Sequence, residues 1–156
     1  MDKIPKVLFL SRGSASRSLM ARALLRSIAG SRVVPHGAGT ESSDVNPLVV
    51  KVLSEIGIDA SAEQPMQLAS LFSHTFQYVV TLSDERTERH AVYPFTRNVF
   101  KWSVPNPETL TIMDPEAQIK AFRQIRDQML IGVKELMNKI EQPQPAFSFP
   151  YHRAAA

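Results

Sequence analysis

The chain has 156 residues, of which 44% are hydrophobic and 21% are charged, so it is long enough to bury the core of one domain. It contains no cysteine, which excludes disulfides, thiolate metal sites and thiol redox chemistry within the chain. The formal net charge of +3 is mild, and no basic helix is interleaved with aromatic residues, so we expect no nucleic-acid partner. No run of 18 apolar residues occurs and no signal-type stretch opens the chain, so we expect no membrane span and a cytoplasmic location.

Short apolar runs alternate with amphipathic segments, which predicts an α/β fold with a parallel sheet. The predicted strands are Lys6–Leu10, Arg32–His36, Phe76–Leu82 and Asn98–Trp102. The predicted helices run from Arg17 to about Ile28, from Pro47 to Gly57, from Met66 to Phe72 and from Pro115 to about Ile140. Asn46 and Asp114 each precede a proline at the first helical position, an arrangement that is typical of a helix start.

The last predicted helix has one apolar stripe whose spacing indicates a face packed on the core. Its members are Ile119, Phe122, Ile125, Met129, Val133, Leu136 and Ile140. The segment 142–156 cannot continue this helix, because it carries three prolines along with three aromatic residues. It is predicted either to be a loosely ordered terminus or to be an arm whose aromatic side chains dock on this domain or on a partner.

The connection between the first strand and the first helix predicts an anion site. Small residues from Ser11 to Ser16 allow backbone N–H groups to face one point, and the helix dipole adds partial positive charge there. Arg17, at the mouth of the helix, can form two parallel hydrogen bonds to a tetrahedral anion. The predicted oxyanion-binding residues are Ser11, Arg12, Gly13, Ser14, Ala15, Ser16, Arg17 and Ser18. We expect no metal and no cofactor.

The spacing of Ser11, five residues, Arg17 and Ser18 resembles the signature of the low-molecular-weight tyrosine phosphatases and the thioredoxin-coupled arsenate reductases. In that family a cysteine nucleophile occupies the position of Ser11. The resemblance covers roughly residues 5–140. It implies a flavodoxin-like fold, a three-layer sandwich in which helices cover both faces of a four-stranded parallel sheet. This single domain is expected to extend over residues 1–141.

Three later segments are also similar to the family. Residues 45–59 resemble its second helix, 78–85 its third strand and following turn, and 102–107 the segment that supplies the general acid. By this resemblance, the catalytic positions are Ser11, Arg17 and Asn106.

The chain departs from the family pattern where the chemistry is carried out. Serine needs a neighbouring base to ionise, whereas the family's cysteine ionises readily in such a loop. Asn106, at the position of the acid, cannot donate an acidic proton. The further cysteines of the reductases correspond to Ser83 and His90, and Ser14 stands where the family usually has an asparagine. These departures together favour natural loss of the chemistry over laboratory replacement of the cysteines, which is the alternative.

The sequence therefore predicts a protein that binds phosphate, arsenate, a sulfate-like anion or a phosphorylated protein partner, with impaired catalysis. One alternative is a weakly active phosphoester hydrolase, with His36, His74 or His90 as a base if folding brings one to Ser11. Another is an interaction module that uses the aromatic tail. Asp114 could replace the missing acid, but its position before Pro115 favours a helix cap. The sequence leaves the oligomeric state open.

Overall fold

The computed structural model describes residues 3–13, 15–41, 44–64, 66, 68–107, 109 and 114–142. Ser14 of the predicted anion loop and the tail beyond Gln142 therefore lie outside the described residues. In chain order the elements are β1 (Lys6–Ser11), α1 (Ser16–Ala29), β2 (Val34–Gly39), α2 (Pro47–Ser54), β3 (Tyr78–Ser83), β4 (Val99–Ser103) and α3 (Pro115–Glu141). Two 3-10 helices, Gly30–Arg32 and Leu68–Ser73, connect them.

The four strands form one parallel sheet in the order β2-β1-β3-β4. The last residue of β1, Ser11, lies beside Gly39 of β2 and Leu82 of β3. Ligands of open parallel sheets bind beyond the carboxyl ends of the strands, and the candidate anion loop leaves β1 at that edge. The predicted α/β fold with a four-stranded parallel sheet is confirmed.

Alternate residues of the strands point into two different cores. Val7 and Phe9 of β1 pack with α1, α2 and α3 in the larger core. Leu8 and Leu10 face the other side, where the cover comes from the 3-10 helix Leu68–Ser73 and from irregular chain that includes Tyr93. In the described part of the chain, the second face is thus covered more thinly than the first.

The long helix α3 packs through the predicted stripe. Phe122, Ile125, Met129, Val133 and Leu136 are buried, while Ile119 and Ile140 at its ends are half-buried. Among the described residues, no helix has the length and apolar character needed to cross a bilayer.

Both predicted helix caps are confirmed. The side chain of Asn46 accepts a hydrogen bond from the Leu48 amide at 2.9 Å, and that of Asp114 accepts one from Ala117 at 2.8 Å. Asp114 is therefore the N-cap of α3, as the sequence favoured.

Several element boundaries differ from the prediction, among them the end of β2 at Gly39, the end of α2 at Ser54 and the start of β3 at Tyr78. The second strand begins at Val34 and not at Arg32, because residues 30–32 form a 3-10 turn and pairing with β1 starts at Val34. The segment predicted as a helix from Met66 to Phe72 is a 3-10 helix over Leu68–Ser73.

His36 of β2 lies on the thinly covered face, with its ring centroid 5.1 Å from that of His74 and 5.2 Å from that of Phe76. Burial is the main cause that lowers its pKa, to about 4. The positive potential around the ring lowers it further; its sources are His74, Arg22, Lys6 and Arg26.

We predict that His36 makes stability depend on pH. The unfolded chain has an ordinary histidine pKa of about 6.5, so between about pH 4 and 6.5 it binds more protons than the folded chain. The contribution of neutral His36 to the free energy of unfolding is complete above about pH 6.5 and is lost as the pH falls toward about 4. Urea unfolding from pH 4.5 to 7.5 should show a shallower acid-side decline for His36→Gln than for the wild type. Parallel curves would contradict the prediction.

Candidate functional site

The loop after β1 is fixed by hydrogen bonds to its neighbours. The Arg12 amide donates to the carbonyl of Leu82 at 3.0 Å, and the Gly13 amide donates to Thr40 Oγ1 at 2.7 Å. Gly13 has a φ of +76°, a conformation that glycine adopts without strain. Two of the amides that were expected to face an anion therefore donate hydrogen bonds to other groups of the protein.

The start of α1 uses another expected donor internally. The hydroxyl of Ser18 donates to the carbonyl of Ala15 at 2.9 Å. Ser16 is buried in the first turn of the helix and Ala15 is buried just before it. The sequence expected Ser18 to add a hydroxyl donor for the anion, but this hydroxyl instead bridges the start of the helix.

Ser11, which the resemblance predicts at the nucleophile position, is completely buried, and its hydroxyl donates to the carbonyl of Ala38 at 3.4 Å. The histidines proposed as bases make other contacts. His36 pairs with Leu8, three residues before Ser11 on β1. His90 interacts with Thr81 and Glu85. The described contacts of these two histidines thus give neither of them a role as base for Ser11.

Arg17 is fully buried, and a carboxylate holds its guanidinium in place. Its Nη1 lies 2.7 Å from Glu88 Oε1 and its Nη2 lies 3.1 Å from Glu88 Oε2. Nη1 also donates to the carbonyl of Val104 at 3.1 Å, and Nη2 donates to the carbonyl of Arg12. The two terminal nitrogens are therefore fixed by the turn after β3, by the residue after β4 and by the loop itself.

Glu88 is a site residue that sequence reasoning missed. It accepts a further hydrogen bond from the Asp84 amide at 2.7 Å. Burial raises its pKa, but hydrogen bonds from Arg17 and Asp84 and the charge of Arg17 outweigh burial, so the net pKa is lowered. A signal was available, because a buried arginine requires a carboxylate partner and the turn 84–88 is acidic.

The remaining guanidinium nitrogen of Arg17, Nε, is buried and has no hydrogen-bond partner among the described residues. A buried donor without a partner costs about 1–3 kcal/mol. The arginine is thus held rigidly by two of its nitrogens, while the third is not used.

A cleft of about 420 Å³ opens beside the loop. It is lined by Arg12, Gly13, Glu41, Thr87, Glu88, Arg89 and Asn106. The structure therefore brings Asn106, which the resemblance predicts at the general-acid position, to the same cleft as the loop and Glu88. An amide at this place can donate a hydrogen bond but cannot supply an acidic proton.

The two positions that correspond to further cysteines of the reductases have different surroundings. Ser83, at the end of β3, is fully buried, and its hydroxyl has no partner in the part of the chain that the structure describes. His90 lies between Thr81 Oγ1, 2.8 Å from Nδ1, and Glu85 Oε1, 2.9 Å from Nε2. Neither side chain can form a disulfide.

Comparison with known proteins agrees with the fold and with the signature. The family model for low molecular weight phosphotyrosine protein phosphatase matches residues 6–146. The chain belongs to the low molecular weight phosphotyrosine protein phosphatase family.

Its similar relatives include arsenate reductases. A glutaredoxin arsenate reductase of a Synechocystis species is 25% identical over 136 residues, which are 86% of this chain and 98% of that protein. An arsenate reductase of Halalkalibacterium halodurans is 28% identical over 123 residues, 79% of this chain and 88% of that protein.

Two solved structures show the same fold. One is an arsenate reductase in the phosphate binding state, with a TM-score of 0.72 and 23% identity over 88% of this chain and 99% of that one. The other is a protein tyrosine phosphatase, with a TM-score of 0.69 and 13% identity over 92% of this chain and 100% of that one.

We predict that Glu88→Ala lowers the free energy of unfolding by about 3–5 kcal/mol, because it leaves the buried charge of Arg17 without a partner. Urea unfolding measures the effect. The matched control is Glu141→Ala, which breaks an exposed ion pair with Arg32. The side chains of Arg32 and Glu141 are 53% and 44% exposed, so this change should cost at most about 1 kcal/mol. Equal losses in the two variants would contradict the prediction.

Proposed function

We propose that the loop between β1 and α1 binds phosphate, arsenate or a similar oxyanion, and that phosphoester turnover is weak or absent. The observation that carries this proposal is the buried Nε of Arg17 without a described partner. A tetrahedral oxyanion at the start of α1 would accept a hydrogen bond from that nitrogen. It would also lie in the positive potential of the helix N-terminus.

The mode of binding differs from the one that the sequence suggested. The terminal nitrogens of Arg17 already donate hydrogen bonds to Glu88. The nitrogen of this side chain that is proposed to donate to the anion is therefore Nε. Because the amides of Arg12 and Gly13 are engaged, backbone donors would come from later in the loop. The phosphate binding state of a solved arsenate reductase with the same fold supports this proposal.

Impaired catalysis follows from the residues at the nucleophile and acid positions. A serine hydroxyl stays protonated at neutral pH unless a base accepts its proton, and the described contacts of His36 and His90 lie elsewhere. Loss of general acid catalysis at Asn106 alone costs roughly 100- to 10,000-fold in rate. A phosphorylated protein as ligand and a cytoplasmic location stay predictions.

We predict that phosphate binding depends on Arg17. Isothermal titration calorimetry should show binding to the wild type and an affinity at least about tenfold lower for the double variant Arg17→Ala/Glu88→Ala, since a charged hydrogen bond contributes about 1.5–3 kcal/mol. Both charges are removed so that no buried carboxylate is left alone, and circular dichroism checks the fold. Arg32→Ala, which removes an exposed arginine, is the control. Equal phosphate affinity in the wild type and the folded double variant would refute the proposed site.

We also predict near-background hydrolysis of an aryl phosphate by the wild type. Ser11→Cys combined with Asn106→Asp should restore measurable activity, and each single change should restore much less, because a general acid matters only when a nucleophile is present. Steady-state rates of the four proteins give the test. Robust hydrolysis by the wild type that Ser11→Ala abolishes would favour the alternative of an active hydrolase.

A further inference from the structure

Three side chains with soft or borderline donor atoms meet on the thinly covered face of the sheet. The Nδ1 atom of His36 lies 3.0 Å from Met66 Sδ. The ring centroids of His36 and His74 are 5.1 Å apart, with the planes tilted by 53°. The residues come from β2 and from the two ends of the 3-10 helix region, so the fold and not the local sequence brings them together.

Nδ1 is the nitrogen of His36 that is placed to share a metal ion with the sulfur of Met66. The thioether that it faces is only a weak hydrogen-bond acceptor, so no strong hydrogen bond competes with an ion there. The other ring nitrogen, Nε2, is buried and has no hydrogen-bond partner among the described residues. A neutral imidazole binds a metal through the nitrogen that carries no proton.

The donor separations suit a shared metal ion. Metal bonds of about 2.0–2.3 Å to nitrogen and sulfur can bridge two atoms 3.0 Å apart. Two imidazoles at the observed ring separation can each direct a nitrogen to a common point. His36, Met66 and His74 are each half-buried, so an ion can reach them from solvent.

The surrounding charges select against a divalent ion. Arg22, Arg26 and Lys6 contribute positive potential at His36. Glu63 offsets part of this potential through its ion pairs with Arg22 and Arg26. A monovalent ion is repelled less than a divalent one, and thioether and imidazole ligands together suit Cu(I).

We propose that His36, Met66 and His74 form a binding site for a soft monovalent metal ion, Cu(I) or its redox-inert analogue Ag(I). No group of three or more His, Cys, Asp or Glu side chains in the described chain is arranged to hold a metal, so the thioether of Met66 is the essential third ligand. The sequence suggested no metal, because this chain has no cysteine and His36 lies 30 positions before Met66. The proposal does not depend on oxyanion binding.

Calorimetric titration with Ag(I), and anaerobic titration with Cu(I) against a chromogenic Cu(I) chelator, test the site. We expect one equivalent to bind the wild type. Met66→Leu, which keeps the volume but removes the sulfur, and His74→Ala should each weaken binding at least tenfold. The control is His90→Gln, since His90 contacts Thr81 and Glu85 instead, and it should stay within twofold of the wild type.

A second measurement detects the ligand directly. With the methionine methyl groups labelled with carbon-13, Ag(I) should shift the signal that Met66→Leu removes. Equal affinity in Met66→Leu and the wild type, or a shift confined to other methionines, would overturn the site and leave the cluster as packing only. Titration of the wild type with Zn(II) should give much weaker binding than with Ag(I), and Zn(II) binding as tight as Ag(I) binding would also overturn the proposal.

Discussion

The ion pair between Arg17 and Glu88 determines how this end of the sheet is built. A guanidinium with no exposure to water requires a carboxylate partner, because an unpaired buried charge costs several kcal/mol. Glu88 reaches it across 71 positions of sequence, and Val104 and Arg12 supply carbonyls to the same group. One buried cation thereby fixes the loop after β1, the turn after β3 and the segment after β4 in one arrangement.

This arrangement also sets the electrostatics of the candidate site. The charges of Arg17 and Glu88 offset each other, and the other charged side chains at the cleft are Arg12, Arg89 and Glu41. The start of α1 adds the positive end of the helix dipole. A cysteine thiolate at position 11 would add a negative charge that repels an oxyanion, whereas a neutral serine adds none. In the proposed function, serine at position 11 therefore removes the nucleophile and also favours oxyanion binding in the same loop.

Local features of the sequence predicted the parts of the fold that depend on local interactions. The caps Asn46 and Asp114 and the loop before α1 were found because each is encoded within a few residues. Long-range contacts could not be predicted in this way. The ion pair of Glu88 with Arg17 and the hydrogen bond from the Gly13 amide to Thr40 were missed, because each depends on how distant segments meet.

The two faces of the sheet explain where polar side chains can take on a function. Three α-helices cover one face, and the charged side chains buried there include Arg17 and Arg126, each paired with a carboxylate. One 3-10 helix and irregular chain cover the other face, so His36 and His74 lie close to water there while still shielded enough for burial to lower the pKa of His36. A thin cover permits a ligand to enter without opening the core. The proposed oxyanion site lies at the carboxyl ends of the strands and the proposed metal site lies on this face, so a single small domain has room for both.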